Sequence, residues 1–191
     1  MNRIFTLLVL LFSLNNFSQT IVDFKFYNSC EDIIVDLDYS LYKLDDVDIY
    51  YSTNDKDSIL KIENGVYIVD VNLPDGENFK SFLFTRKFNQ NKTYLDTIET
   101  PKIMNKYKYT GGYGHIALGF FNCDKICNGY IIDKYVNGQI RMEGNFENGL
   151  PKKEIKKYNK NGELIEIEIY DKKGTYKKSK YPDYEKYLNN N

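Results

Sequence analysis

Asn-Gly pairs recur along the last third of this sequence, each flanked by residues that favour strands. The pairs lie at 128–129, 137–138, 148–149 and 161–162. A further pair, Asn64-Gly65, stands between the β-prone stretches of residues 59–71. Asn and Gly both accept the positive φ angles of tight hairpin turns, and strand-forming neighbours complete the signal. The sequence therefore predicts a mainly β protein.

The first half of the chain shows the alternation typical of half-buried strands. In residues 33–39 the odd positions are apolar, and Asp36 and Asp38 lie on the opposite side. The other strand-like segments there are 47–51, 79–88 and 94–98. Such short strands, five to seven over about 80 residues, predict a small β-sandwich, immunoglobulin-like in architecture but without the diagnostic Cys and Trp positions.

The first 18 residues have the layout of a cleaved secretory signal peptide. Arg3 supplies a positive start, and residues 4–14 form an apolar run that polar Asn15 follows. A membrane-spanning helix needs roughly 20 apolar residues, so this run is too short to be an anchor. Cleavage after Ser18 is expected to release a chain that begins at Gln19. The protein is thus expected to be periplasmic, outer-membrane-associated or secreted, with no transmembrane anchor.

The sign of the charge changes near Pro101. Residues 20–100 hold 16 acidic and 8 basic side chains, whereas residues 101–191 hold 11 acidic and 17 basic ones. This asymmetry predicts two units that pack against each other through opposite charge. The lysines of the second unit either bind an anionic partner or keep a sheet edge solvated, and the interspersed acids favour the second interpretation.

These patterns predict a chain in four parts. The parts are a signal peptide (1–18), an acidic β-sandwich-like domain (19–103), a Gly/Tyr-rich segment with β-hairpins (104–176) and a basic tail (177–191). Within the third part, residues 106–121 combine four glycines with aromatic residues. The glycines lack the order of a phosphate-binding loop, so bulges or tight strand corners explain them best.

Three cysteines in an exported chain permit one intramolecular disulfide. Cys123 and Cys127 are close enough in sequence to staple a single turn. Cys30 is the alternative partner for either of them. The C-x-x-x-C spacing is not that of a redox motif, and no histidine stands nearby to complete a zinc site, so a structural bridge is predicted.

No group of residues in the sequence forms a recognisable catalytic or metal-binding pattern. The Asp-rich stretches 36–48 and 55–57 offer oxygens that suit Ca²⁺, but no D-x-D-x-D-G loop occurs, so solvated strand faces explain them. His115, the single histidine, has no recognisable partner for acid–base chemistry and is expected to be structural. The sequence therefore predicts a non-enzymatic protein without cofactor, metal or nucleic-acid partner.

A register of 24 residues relates two units after Cys127. The matched positions are Gly138 with Gly162, Ile140 with Leu164, and Phe146 with Tyr170. One hairpin is too small to bury a face by itself, so a repeat of this kind predicts hairpins that are stabilised by their neighbours.

These units resemble the bacterial variant of the MORN repeat over about residues 127–176. The repeat-defining residues are Tyr135, Gly138, Ile140, Gly144, Phe146, Gly149, Tyr158, Gly162, Leu164 and Tyr170. Lys153 and Ile155 depart from the pattern, because the family has Gly and Trp there. The resemblance implies an antiparallel sheet of hairpins without an active site, of the kind found in exported proteins of Bacteroidota-like bacteria and in antitoxin-like proteins.

The two units differ in which strand face is apolar. In the second unit Glu166 and Glu168 stand at the positions of Met142 and Gly144. The opposite face then carries an apolar row, formed by Ile165, Ile167 and Ile169. Since strand side chains alternate, the swap turns the other side of the sheet inward. We expect this row to pack inside the protein, the alternative being an exposed strip for a partner.

Together these features predict an exported, non-enzymatic protein that acts through contacts with a protein or a cell-envelope component. One alternative is an antitoxin-like or immunity protein that binds a periplasmic or secreted toxin. The other is a hydrolase without a recognisable site.

Overall fold

Residues 20–46, 48–53, 59–110 and 114–184 are described by the computed structural model. Within these ranges, sixteen strands form three sheets, which confirms the predicted mainly β class. The predicted signal peptide (1–18) and the end of the predicted basic tail (185–191) lie outside the described residues.

In chain order the strands are β1 (Thr20–Asn28), β2 (Ile33–Val35), β3 (Tyr39–Lys43), β4 (Tyr50–Ser52), β5 (Leu60–Ile62), β6 (Gly65–Asp75), β7 (Asn78–Phe88), β8 (Thr93–Glu99), β9 (Ile103–Tyr109), β10 (His115–Asn122), β11 (Lys125–Ile126), β12 (Gly129–Lys134), β13 (Ile140–Glu147), β14 (Leu150–Tyr158), β15 (Leu164–Tyr170) and β16 (Tyr176–Lys180).

The first two sheets form a β-sandwich. In the smaller sheet β1 pairs with β2 and β5 on one side and, in parallel, with β8 on the other. The larger sheet has the order β11-β10-β9-β7-β6-β3-β4. Alternate residues of β1 and β6 face each other in the core, namely Val22, Phe24, Phe26, Tyr67, Val69 and Val71. Full burial of a side chain of this size contributes roughly 1.5–3 kcal/mol, so this layer is the main stabilising core.

Two local sequence patterns have a different outcome from the predicted one. The predicted strand over residues 33–39 is divided between β2 in the smaller sheet and β3 in the larger one. The Asn64-Gly65 pair does not close a hairpin, because β5 pairs with β1 whereas β6 pairs with β3 and β7. The chain crosses the core at this point, since Ile62 and Tyr67 are buried from opposite sheets.

The third sheet is an antiparallel meander of order β12-β13-β14-β15-β16. Two of its turns are equivalent: the N–H of Gly138 donates to Tyr135 O, and that of Gly162 donates to Asn159 O, each at 2.9 Å. Each turn is followed by a bulge, in which Arg141 and Ile165 are the extra residues. The register of 24 residues thus appears in both the turns and the bulges.

The Asn-Gly pairs of this region serve two purposes. Asn148 and Gly149 form a two-residue hairpin turn with φ angles of 49° and 78°. The pair at 128–129 instead links β11 of the sandwich to β12 of the third sheet.

Sheet pairing places the division between the sandwich and the third sheet near Cys127, rather than after residue 103, because β9 pairs with β7. Residues 177–180 of the predicted tail belong to β16.

Gly119 occupies the place where the sandwich meets the third sheet. Its φ angle is 104°, and a Cβ atom there would lie 3.0 Å from Gly149 O, which accepts a hydrogen bond from Phe120 N–H. We expect Gly119→Ala to lower the free energy of unfolding by about 2–4 kcal/mol, through backbone strain and overpacking together. Urea denaturation measures this loss.

The matched control is Gly138→Ala. Gly138 has a similar φ angle of 88°, but a Cβ atom there would meet nothing within 4 Å. Only backbone strain remains, so the expected loss is about 1–2 kcal/mol. Equal losses in the two variants would contradict the proposed close approach of β10 to the hairpin at Gly149.

Candidate functional site

A cleft with a cavity of about 220 Å³ lies where the third sheet meets the sandwich. Strands β7 and β9 form one wall, and β13, β14 and β15 form the other. We call it the junction cleft. Its lining is largely apolar, and its polar side chains include Ser81, Asn105, Tyr107, Lys157, Glu168 and Tyr170. The sandwich and the third sheet both contribute to it, so the cleft exists only when the two are packed together.

The pairing of β13, β14 and β15 places a charged group, Lys157, Glu166 and Glu168, on one face of the third sheet. Met142 of β13 stands opposite Lys157 of β14, which in turn stands opposite Glu166 of β15. In the next row, Glu168 aligns with Gly144 through the intervening strand. Residues that are directly opposite on neighbouring strands share a face, so both glutamates lie on the face that meets the sandwich.

Hydrogen bonds join this charged group into a network. Lys157 Nζ lies 2.6 Å from Glu168 Oε1 and 3.0 Å from Glu166 Oε2. Tyr170 donates to Glu168 Oε2 at 2.8 Å, and Ser179 donates to Glu166 Oε1 at 2.7 Å. The glutamate side chains are only 11% and 16% exposed. Each carboxylate oxygen thus already accepts one hydrogen bond, which fixes the orientation of both side chains.

The electrostatics keep this network in one protonation state. Burial disfavours the charged form of Lys157, but Glu168 and Glu166 outweigh it and raise the pKa of Lys157. Burial, with Glu168 beside it, also raises the pKa of Tyr170. Burial likewise raises the pKa of Tyr107, to which Asp70 and Glu168 contribute. Lys157 is therefore a cation, and both tyrosines remain hydroxyl donors, at neutral pH.

Arg141 fixes the third sheet against the sandwich. Its Nη1 and Nη2 atoms donate to Glu99 O and Lys134 O, each at 3.1 Å, and its Nε lies 3.3 Å from Asp133 Oδ2. The guanidinium group stacks 4.7 Å above the centre of the Tyr135 ring. Because Arg141 is the extra residue of the bulge, its side chain turns inward with that of Met142. Its role is to position the cleft wall.

A disulfide joins Cys30 to Cys123, which is the alternative pairing that the sequence left open. The staple between Cys123 and Cys127 is therefore not the bridge that forms. The N–H of Cys127 donates to Phe120 O, and its buried thiol belongs to a second hydrophobic core, which also contains Ile103, Phe120, Met142, Phe146 and Ile155. Burial raises the pKa of the Cys127 thiol to about 11. Cys123 lies in the turn after β10, where Cys30 reaches it.

The repeat-defining tyrosines lie around the cleft. Tyr135 donates through its hydroxyl to Tyr158 O at 2.9 Å, and Tyr158 donates to Glu143 Oε1 at 2.7 Å. Tyr170 belongs to the charged network, and Phe146 is buried in the second core. These aromatic side chains therefore connect neighbouring hairpins.

The repeat-defining glycines and aliphatic residues have backbone and packing roles. Gly138, Gly149 and Gly162 lie in turns with positive φ angles. Gly144 faces the side chains of Ile155 and Phe146, where a Cβ atom would lie 3.2 Å from Ile155. Ile140 and Leu164 directly precede the two bulges and pair with Lys134 and Tyr158.

The apolar row of β15 packs differently from the prediction. Ile165 is buried, but Ile167 and Ile169 are half-buried and pair with Lys156 and Glu154. The bulge at Ile165 disrupts the alternation, so this side chain turns to the same side as the glutamates. Of the three isoleucines only Ile165 is buried, and Glu166, Glu168 and Tyr170 occupy the rest of the inner face of β15.

Opposite charges do meet where the acidic and basic halves touch. Lys160 of the basic half lies 3.3 Å from Glu99, and Lys106 lies 2.5 Å from Asp75.

His115 stands on β10 with its ring edge-on to Tyr107, at a centroid distance of 5.1 Å. It therefore belongs to an aromatic group beside the cleft.

Among the residues that the structure describes, no group of three or more His, Cys, Asp or Glu side chains is placed to hold a metal ion. The Asp55 and Asp57 candidates lie outside the described residues. No helix in the described ranges is long and apolar enough to cross a membrane.

Sequence reasoning missed Lys157 and the cavity beside it. The available signal was the placement of Glu166 and Glu168 at the positions of Met142 and Gly144. Two acids at positions that face a core need a cation nearby, because buried charges are usually paired. The neighbouring strand supplies that cation.

Comparison with protein-family models, with curated proteins and with solved structures gives no match. The resemblance to MORN-type repeats therefore stays a prediction, and the junction cleft has to be interpreted from its own chemistry.

Proposed function

We propose that the protein is an exported binding protein that holds a small ligand, or part of a cell-envelope component, in the junction cleft. The observation that carries this proposal is the cavity of about 220 Å³ between the two units. Ligand sites are typically concave, largely apolar and found where domains meet, with a few polar groups that orient the ligand. The junction cleft has each of these properties.

The chemistry of the cleft supports binding rather than turnover. A nucleophilic lysine needs a lowered pKa, whereas the pKa of Lys157 is raised by Glu168 and Glu166 despite its burial. Both carboxylates accept hydrogen bonds from fixed neighbours. Groups that are held in this way are suited to hydrogen bonding and charge recognition.

Export is the second part of the proposal. It rests on the signal-like residues 1–18, and a disulfide between residues 93 positions apart is compatible with it, because such bridges persist in oxidising compartments. In such a compartment, small polar molecules and envelope components are the available ligands.

A cavity-filling variant tests the proposed site. Ser81 lines the cavity, so we expect Ser81→Phe to occupy the space that a ligand needs. The protein is purified from the exported fraction, where its intact mass reports whether residues 1–18 are removed. It is then melted with and without the small-molecule fraction of an envelope extract. A ligand at 100 times its Kd stabilises the folded state by about 2.7 kcal/mol, or roughly 5–10 °C in Tm.

The control is Thr97→Phe, which adds the same ring to an exposed position of β8. We expect the Tm shift in the wild type and in the control but not in Ser81→Phe. A shift of equal size in Ser81→Phe would place the ligand elsewhere. The absence of any shift, together with turnover in a hydrolase screen, would favour the hydrolase alternative.

A further inference from the structure

One charged group beside the junction cleft, of which Lys157 and Glu168 line the cavity, carries one more negative than positive charge. Lys157 is the ammonium group that contacts both Glu166 and Glu168, so one carboxylate charge there lacks a counter-charge. A bound cation would balance this charge.

The hydrogen-bonding capacity of the two glutamates is only partly used. Each of their four oxygens accepts one hydrogen bond, from Lys157, Tyr170 or Ser179. An ionised carboxylate offers about four lone-pair sites, so each oxygen can accept one more. The two carboxylates can thus accept further donors, and a primary ammonium group supplies three.

Aromatic rings line the cavity next to these carboxylates. Tyr107, Tyr170 and Phe120 contribute to the lining, with the Phe120 and Tyr170 rings in edge-on contact at 6.4 Å. The face of an aromatic ring attracts a cation that lies within about 6 Å of its centre. Carboxylates and ring faces together suit a nitrogen cation that is carried on an apolar group.

Among the described residues that line the cleft, an anionic ligand would find no unpaired cation. Lys157 already pairs with both glutamates, and the guanidinium of Arg141 is held by Glu99 O, Lys134 O and Asp133. Lys160, at the edge, pairs with Glu99. An anion would therefore meet the Glu168 carboxylate in the lining with every nearby cation already paired, so the charge distribution disfavours anionic ligands.

We infer that the ligand of the junction cleft is a small molecule or terminal group that carries a primary ammonium, an inference that rests on the proposed function. The cavity of about 220 Å³ limits its size. An apolar cavity of about 150 Å³ holds one benzene molecule, so the junction cleft has room for a single ring or a short chain. Free diamines and amino sugars share this chemistry.

Titration calorimetry with matched pairs of ligands tests the inference. 1,4-Diaminobutane is compared with 1,4-butanediol, and glucosamine with glucose, so that each pair differs chiefly in charge. We expect one or both amines to bind at least about tenfold more tightly than the matching hydroxyl compound, because charge-assisted hydrogen bonds are the stronger ones. Which amine binds distinguishes a free diamine from an amino sugar.

Two variants locate the binding. Glu168→Gln removes one carboxylate charge, and we expect it to weaken amine binding about 10- to 100-fold. Glu147→Gln is the matched control, because Glu147 also pairs with a lysine at 2.6 Å but is exposed and lies outside the lining. It is expected to leave binding unchanged. Glu166→Gln provides a second test if Glu168→Gln fails to fold, as judged by its melting curve.

The possible failures of the inference and of the proposed function are distinguishable. Equal binding of the amine and hydroxyl members of both pairs would overturn the cationic ligand and leave the cleft as a binding site. The cationic ligand would also be overturned, with the cleft still a binding site, if neither amine bound but the extract raised the Tm of the wild type and not that of Ser81→Phe. Amine binding that survives both glutamate variants would overturn the inference by placing the cation elsewhere.

Discussion

Replacement of Cys30 and Cys123 by serine is expected to lower the free energy of unfolding by about 4–5 kcal/mol. The bridge joins residues 93 positions apart, and cross-linking a loop of that length removes much of the conformational entropy of the unfolded chain. For a chain of this size the loss corresponds to a decrease of roughly 10–15 °C in Tm. Urea denaturation of the double variant, compared with that of the wild type, measures it.

Cys127→Ala is the control for the disulfide. It removes the free, buried thiol and keeps the bridge, so the expected loss is only about 1 kcal/mol, from a small cavity. Non-reducing peptide mapping should give one cross-linked pair of peptides, with Cys30 and Cys123. A pair that contains Cys123 and Cys127, or a double variant as stable as the wild type, would contradict the disulfide assignment.

Arg141→Met is expected to destabilise the protein by about 3–5 kcal/mol, because it leaves the carboxylate of Asp133 buried without its counter-charge. The Asp133 side chain is fully buried, and its Oδ2 atom also accepts the Lys102 N–H, at 3.0 Å. The variant also removes two hydrogen bonds from Arg141 to backbone carbonyls. Chemical denaturation measures the loss.

A double-mutant cycle separates this ion pair from general packing. We expect Arg141→Met combined with Asp133→Asn to cost less than the sum of the two single changes by about 1–3 kcal/mol, since each single change leaves a buried partner unpaired. Lys152→Met is the control, because the partner of Lys152, Glu147, is exposed, and the expected cost is below about 1 kcal/mol. Additive losses for Arg141 and Asp133 would show that they do not act as a pair.

Local features of the fold were predictable because neighbouring residues determine them. The strand-like segments 79–88 and 94–98 correspond to β7 and β8, and Asn148-Gly149 identified a hairpin. Glycines at 138 and 162 gave the register that reappears in the turns. Each signal depends on φ preferences or on side-chain alternation within a few residues.

Sheet membership was not predictable in the same way, because it depends on distant partners. The residues of β2 and β3 share one alternating pattern, yet they pair with β1 and β6 in different sheets. Likewise, the predicted division after residue 103 groups most of β9 with the segment that follows it, but β9 pairs with β7 of the sandwich. A single sequence contains no direct record of such pairings.

The junction cleft was only partly predictable for the same reason. The glutamates of β15 were visible as a departure from the first unit. The side of the sheet to which they turn depends on the bulge at Ile165, and their pairing depends on Lys157 in the neighbouring strand. The cleft also depends on the meeting of the third sheet with β7 and β9, which the hydrogen bond from Arg141 to Glu99 O holds in place.

Amide hydrogen exchange with and without a ligand that raises Tm tests the junction cleft most directly. We predict increased protection in β7 near Ser81, in β9, and in β14 and β15 around Lys157 and Glu168, because these segments line the cavity. Exchange in β4 and β12, which lie at the outer edges of their sheets, should not change. Protection confined to β4 or β12, with β14 and β15 unchanged, would contradict the assignment of the cleft as the binding site.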